Sequence, residues 1–221
     1  MIRLISFVSL VLIGCGNAST NKPLEDAAQA IDHSKGKSIF SAQCASCHGA
    51  NAEGLLALNA PALAGQETWY VQRQLRHFKS GVRGADAAHV PGTQMATIAK
   101  TLTSDSDIAA VADYLASLPI HKSGITLKGD TLNGKAQFNT VCTACHGNLA
   151  NGNKALNSPR LSGLNDWYIA AQMEQFIHGS RGTHALDTFG QQMRPMAMTV
   201  SDTQSVLDIA AYITTLQSAE K

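Results

Sequence analysis

The chain has 221 residues, with 17 Lys and Arg against 16 Asp and Glu, a formal net charge of +1 and 44% hydrophobic residues. That length holds a leader and two domains of about 85–100 residues each, and the near-neutral balance argues against nucleic-acid binding as its purpose. Four of the five cysteines fall in two closely spaced pairs, too close within each pair for a disulfide framework.

Met1-Ile2-Arg3 is a short basic start, and Leu4 to Ile13 is an apolar run of ten residues, too short to span a bilayer. Residues 1–15 therefore read as a signal peptide, ending in the lipobox-like Leu12-Ile13-Gly14-Cys15. Cys15 would be lipidated and become the mature N-terminus, with residues 16–33 as a tether. Cleavage after Ala18 is the alternative and would give a soluble periplasmic protein.

From about Ser34 a helix leads into Cys44-Ala45-Ser46-Cys47-His48. Two thiols one helical turn apart can form thioethers with the vinyl groups of a haem, and the adjoining His supplies an iron ligand. A zinc knuckle or a redox dithiol would use Cys-x-x-Cys too. Here a His follows directly, and no further Cys or His pair stands at zinc spacing. A middle helix starts at Trp69-Tyr70 behind a Thr68 cap. The last helix of this segment carries the stripe Ile108, Val111, Ala112, Leu115 and Leu118, with Ser104 and Asp107 placed as a capping box. No segment shows sustained period-two alternation, so the fold class is all-α.

Pro119-Ile120-His121-Lys122-Ser123-Gly124 breaks that helix and opens a linker over 119–133. Beyond it the pattern returns. Cys142-Thr143-Ala144-Cys145-His146 lies 98 residues after the first motif, and the same shift superposes Gly36 on Gly134, Phe40 on Phe138, Pro61 on Pro159, Trp69-Tyr70 on Trp167-Tyr168, Arg83-Gly84 on Arg181-Gly182 and Tyr114 on Tyr212. A repeat of this length is a duplicated domain, with domain 1 at 34–118 and domain 2 at 134–217. Asp166 repeats the middle-helix cap, and Ser201 with Gln204 repeats the last one. The final stripe is Val206, Ile209, Ala210, Ile213 and Leu216. The four motif cysteines and two histidines predict two covalent haem c groups, one per domain.

Gly36, Phe40 and Tyr114, repeated as Gly134, Phe138 and Tyr212, resemble the class I cytochrome c domain, in which the first and last helices cross near a Gly, a Phe and an aromatic residue. The tandem arrangement, Pro-x-Leu-x-Gly, Trp-Tyr, Phe-x-x-Gly-x-Arg-Gly and a late Met are similar to the dihaem cytochrome c4 family over roughly residues 34–217. The resemblance implies a distal Met thioether from the loop before the last helix, opposite His48 and His146. Met95 is the one Met of domain 1, and Met193 matches it in register; Met196 is the reserve in domain 2, and Met198, aligned with Lys100, comes last. It also implies that Pro61 and Pro159 accept a hydrogen bond from the proximal His.

His89 aligns with Asp187, and His184 with Asp86, so neither position is shared by the repeats. His77, His89, His178 and His184 read as surface or loop residues. Trp69, Tyr70 and Arg83, with Trp167, Tyr168 and Arg181, are candidates for haem-propionate contacts or for packing between domains. Arg73, Arg76 and Lys79 stand on the middle helix of domain 1 where domain 2 has Ala171, Glu174 and Ile177, so the halves differ in charge.

His/Met ligation leaves no open iron position and raises the reduction potential, so the expectation is a non-enzymatic, periplasmic electron carrier. The family resemblance implies a quinol-oxidising complex as donor and a haem-copper terminal oxidase as acceptor, with the membrane reached through lipid on Cys15. The alternative is a dihaem subunit or enzyme of peroxidase or thiosulfate-oxidising type with a fixed partner.

Overall fold

The computed structural model describes residues 32–200 and 202–216; the leader, Cys15 and most of the tether lie outside the described residues. Within these limits the regular structure is helical, and the pairings Leu55 with Ala60 and Asn153 with Ser158 are isolated bridges. Domain 1 contains α1 (Ser34–Gln43), α2 (Ala45–His48), α3 (Thr68–Ser80), α4 (Val90–Thr101) and α5 (Asp105–Ser117). Domain 2 repeats the order as α6 (Thr131–Gln137), α7 (Thr143–His146), α8 (Asp166–His178), α9 (Thr188–Met198) and α10 (Thr203–Thr215), with a π-helical turn at Phe138–Cys142 between α6 and α7.

The first and last helices of each domain cross where a glycine removes a side chain. A Cβ on Gly36 would overlap the carbonyl of Ala110, and one on Gly134 that of Asp208. One turn on, Phe40 packs on Tyr114 with ring centroids 5.7 Å apart, and Phe138 on Tyr212 at 5.6 Å. The stripes supply the rest of each core: Ile108, Val111, Ala112 and Leu115 are buried in α5, and Val206, Ile209, Ala210 and Ile213 in α10. Each large apolar side chain so buried contributes roughly 1.5–3 kcal/mol.

The capping box at Ser104 forms as expected: its hydroxyl accepts from the Asp107 N–H at 3.1 Å, and the Asp107 carboxylate accepts from the Ser104 N–H at 3.1 Å. Three other expectations need correction. Ser201 lies outside the described residues, and α10 is capped by Asp202, which accepts from the Ser205 N–H at 2.8 Å. Thr68 and Asp166 are the first residues inside their helices; the extended N-cap positions are Glu67 and Asn165. The methionine-bearing segments are helices α4 and α9 rather than loops, because His89 and Asp187 cap them by accepting from the N–H groups of Gly92 and Gly190.

The linker is held at both ends. Ile120 fills the space over Gly65 and Gly163, where a Cβ on either glycine would overlap its side chain. Further on, the fully buried Asp166 carboxylate accepts from the N–H groups of Thr126 and Leu127 and from the Thr126 hydroxyl at 2.5–2.8 Å. Asp208, also buried, accepts from the Asp130 N–H, Asn133 and Gln204 at 2.6–2.7 Å and fixes the start of α6.

Candidate haem-binding sites

Each Cys-x-x-Cys-His motif is one short helical turn. Cys44 and Cys142 are half-buried, Cys47 and Cys145 are exposed, and none of the four is in a disulfide. Before a haem is attached, burial, reinforced by the neighbouring Cys of each pair, pushes the Cys44 and Cys142 thiols up to about 11.

The histidines that close the motifs are buried and share one arrangement. His48 Nδ1 lies 2.7 Å from the Pro61 carbonyl oxygen, and His146 Nδ1 lies 2.8 Å from that of Pro159. A carbonyl only accepts, so Nδ1 carries the proton and Nε2 presents its lone pair. Burial lowers the pKa of both rings, with the Pro carbonyl acting in the opposite sense, and the neutral form is the one a metal needs. His48 Nε2 is buried without a hydrogen-bond partner, which fits a nitrogen that would hold iron. Two cysteines in the turn before it, neither in a disulfide, complete the fit to a covalent haem.

Met95 is half-buried and packs on Phe78, Ala96 and Ala99. Met193 is half-buried as well, whereas Met196 and Met198 are 39% and 48% exposed. Pro195 lies inside α9 between the first two of these methionines.

Beside the haem-binding turns, the domains meet through a hydrogen-bond pattern that is nearly two-fold symmetric. Arg83 donates to Gln74 at 2.7 Å within its own domain, and to Tyr168 and Gln172 at 3.2 and 2.6 Å across the boundary. Arg181 donates to Gln172 at 2.8 Å, and to Tyr70 and Gln74 at 3.1 Å each. Their guanidinium carbons lie 4.5 Å from the ring centroids of Phe78 and Phe176. Arg73, which has no counterpart in domain 2, stacks on Phe189 at 4.5 Å and donates to Asn157. These contacts assign Tyr70, Arg83, Tyr168 and Arg181 to packing between domains. Trp69 and Trp167 stack edge-on against their Tyr neighbours.

Two histidines depart from the surface reading. His89 Nε2 lies 2.8 Å from Gln175 Nε2, and His77 Nδ1 lies 3.7 Å from Asp187. Both pairs bridge the domains at matching positions of the repeat. His178 does pair with Glu174 on the surface at 3.0 Å, and His184 accepts from the Leu186 N–H in a loop. The sequence reading missed Gln74 and Gln172, although their identity across the 98-residue shift was a usable signal. It also missed Glu67, Asn165 and Arg160, which differ between repeats and carried no such signal.

A helical domain that buries a motif histidine and leaves two thiols open beside it defines a c-type cytochrome, and here the unit occurs twice. The cytochrome c family matches residues 33–119 and 132–217. The chain is 32% identical over 181 residues to cytochrome c4 of Azotobacter vinelandii, covering 78% of this chain and 83% of that one. It is 31% identical over 201 residues to the thiosulfate dehydrogenase electron acceptor of Stutzerimonas stutzeri (strain A1501), covering 84% and 88%. The solved structure of Acidithiobacillus ferrooxidans cytochrome c4 superposes with a TM-score of 0.65 at 30% identity, over 79% of this chain and 99% of that chain. The chain belongs to the dihaem cytochrome c4 family and carries two covalent haem c groups, at Cys44 and Cys47 and at Cys142 and Cys145.

Proposed function

We propose that the protein is an exported one-electron carrier in which His48 and Met95 ligate one iron and His146 and Met193 the other. The observation that carries this reading is the pairing, in both repeats, of a buried histidine whose Nδ1 is engaged by a Pro carbonyl with a half-buried methionine in register on the helix before the last. When bound, the haem iron takes up and releases single electrons. His48 with Met95, and His146 with Met193, would hold the two irons and leave no position for substrate or oxygen, and the Met thioethers would raise the potential.

The donor in this reading is a quinol-oxidising complex and the acceptor a haem-copper terminal oxidase, reached through small, weak interfaces that permit fast turnover. The compartment is the periplasm, with Cys15 as a lipid anchor. No helix among the described residues is long and apolar enough to cross a membrane. The working units are domain 1 at 34–118 and domain 2 at 134–217.

A second donor is favoured by one observation: a relative covering most of the chain is named a thiosulfate dehydrogenase electron acceptor. The carrier chemistry is the same, and only the docked donor changes. Reduced protein at neutral pH should bind carbon monoxide slowly or not at all and should not turn over hydrogen peroxide. Stopped-flow reduction by a quinol-oxidising complex and by a thiosulfate dehydrogenase then ranks the donors. Rapid stoichiometric carbon monoxide binding at one haem would overturn the closed-ligation reading and favour an enzyme.

A further inference from the structure

Glu67 and Asn165 occupy the same place in the two repeats, each at the N-cap of a middle helix, and neither side chain caps its own helix. Both reach into the other domain. Asn165 Oδ1 accepts the N–H of Ala62 at 2.7 Å, and the two Glu67 carboxylate oxygens share the N–H of Arg160 at 3.2 Å each. These N–H groups belong to the Pro61–Ala62 and Pro159–Arg160 peptides, whose carbonyls hold His48 Nδ1 and His146 Nδ1. Each histidine is therefore the end of a two-bond chain that runs through one peptide unit and stops on a side chain of the other domain.

The two chains end differently. His48 leads to a neutral carboxamide, and His146 leads to a carboxylate. Hydrogen bonds in series polarise one another, and a charged acceptor makes the stronger bond. The Arg160 guanidinium feels the Glu67 charge but does not bond to it: it donates to the carbonyls of Ser162 at 2.7 Å and Ala64 at 3.4 Å, and among the described residues no ion pair joins it to Glu67.

We propose that Glu67 of domain 1 tunes the haem of domain 2 by polarising the Pro159–Arg160 peptide and drawing the Nδ1 proton of His146 toward its carbonyl. The imidazole becomes a better electron donor, which favours oxidised iron. Docking of the domains thus feeds directly into a proximal ligand, and the two haems become inequivalent although their ligand sets match. The inference rests on His146 as the proximal ligand, as proposed above.

Glu67→Gln keeps an acceptor oxygen and removes the charge. In the half-reduced full-length protein, with each haem followed by its own NMR methyl resonances, the electron should move toward the domain 2 haem by roughly two- to fivefold, the worth of exchanging a charged for a neutral hydrogen bond. The His146 Nδ1–H resonance of the reduced protein should move upfield, with that of His48 unchanged. Asn165→Asp, which adds a carboxylate to the His48 chain, should send the electron the same way by drawing it off the domain 1 haem, with the His48 Nδ1–H resonance moving downfield and that of His146 unchanged. An equal shift of both potentials would be a through-space charge effect and would overturn the relay, as would no shift at all. Wild-type spectra decide the ligation separately: if the domain 2 haem lacks a His/Met signature the ligand reading fails, whereas a normal signature with populations unmoved by Glu67→Gln sinks the relay alone.

Discussion

Methionine is the residue on which the repeats part company. Domain 1 offers Met95 alone, while α9 presents Met193, Met196 and Met198 within two turns, with Pro195 among them. Proline has no N–H to give the Gln191 carbonyl four residues back, so this helix is weakened beside the proposed ligand. Met193 is half-buried where Met196 is exposed, which agrees with the repeat register. Met193→Ala should therefore remove the Met-to-iron near-infrared band of one haem and lower its potential. Met196→Ala should leave both unchanged, and optical titration of the two variants checks this. The opposite result would place the ligand one turn further along the helix.

At the scale of elements, the crossing of first and last helices is set by two glycines. With the Ala110 and Asp208 carbonyls in the way of any Cβ at Gly36 and Gly134, Ala at either position must push the helices apart. The expected loss is about 1–3 kcal/mol or more, in line with overpacking elsewhere, read as a fall in the denaturant midpoint with both haems still attached. Gly134→Ala should be the worse of the two, because the backbone it displaces carries Asp208. Burial alone would raise the pKa of that carboxyl; bonds from Gln204, the Asp130 N–H and Asn133 outweigh burial and hold it below the ordinary carboxylate range. Asp166 is held down in the same way, burial opposing and Thr126, Leu127 and Trp167 prevailing. Both carboxylates belong to domain 2 alone, where Thr68 and Ala110 stand in the first repeat. The copy that follows the linker thus carries the polar clasps that fix it.

For the whole molecule, the boundary between domains concentrates positive charge. Arg83 and Arg181 sit in it, Arg73 flanks it, and His77 lies between these three and Asp187. Burial is the largest influence lowering the His77 pKa; Asp187 raises it, and Arg73, Arg181 and Arg83 lower it further. His89 is lowered by burial and by Arg83 against the pull of Asp86. For a base with a depressed folded pKa, both states are neutral above the unfolded value of about 6.5. Below that pH the unfolded chain binds the proton first. Stability should therefore fall as pH drops from about 6.5 through the lower folded value. Thermal unfolding followed between pH 8 and pH 5 should show the decline, and His77→Gln, which copies Gln175 of the other repeat, should flatten it. A variant with the wild-type slope would mean that His77 does not feel the interface charge.

Haem attachment and the duplication were legible in the residues because their chemistry is local. Thioether formation needs two thiols one turn apart, the iron needs the next residue, and a gapless 98-residue shift can be read without coordinates. Helices α5 and α10 were legible for the same reason, since a stripe at helical spacing depends only on neighbours along the chain. Glu67 and Asn165 were not, because at an N-cap the local alternative of binding their own helix is available to both. Their actual partners, the N–H groups of Arg160 and Ala62, lie 93 and 103 positions away. His77 and His89 likewise carry no sign in the sequence that Asp187 and Gln175 will meet them. The sequence by itself determined two haem-bearing domains and the cysteines that hold the haems; only the tertiary structure decided which polar groups each domain lends the other. The physical reason is that a hydrogen bond between domains depends on where two folded surfaces come to rest.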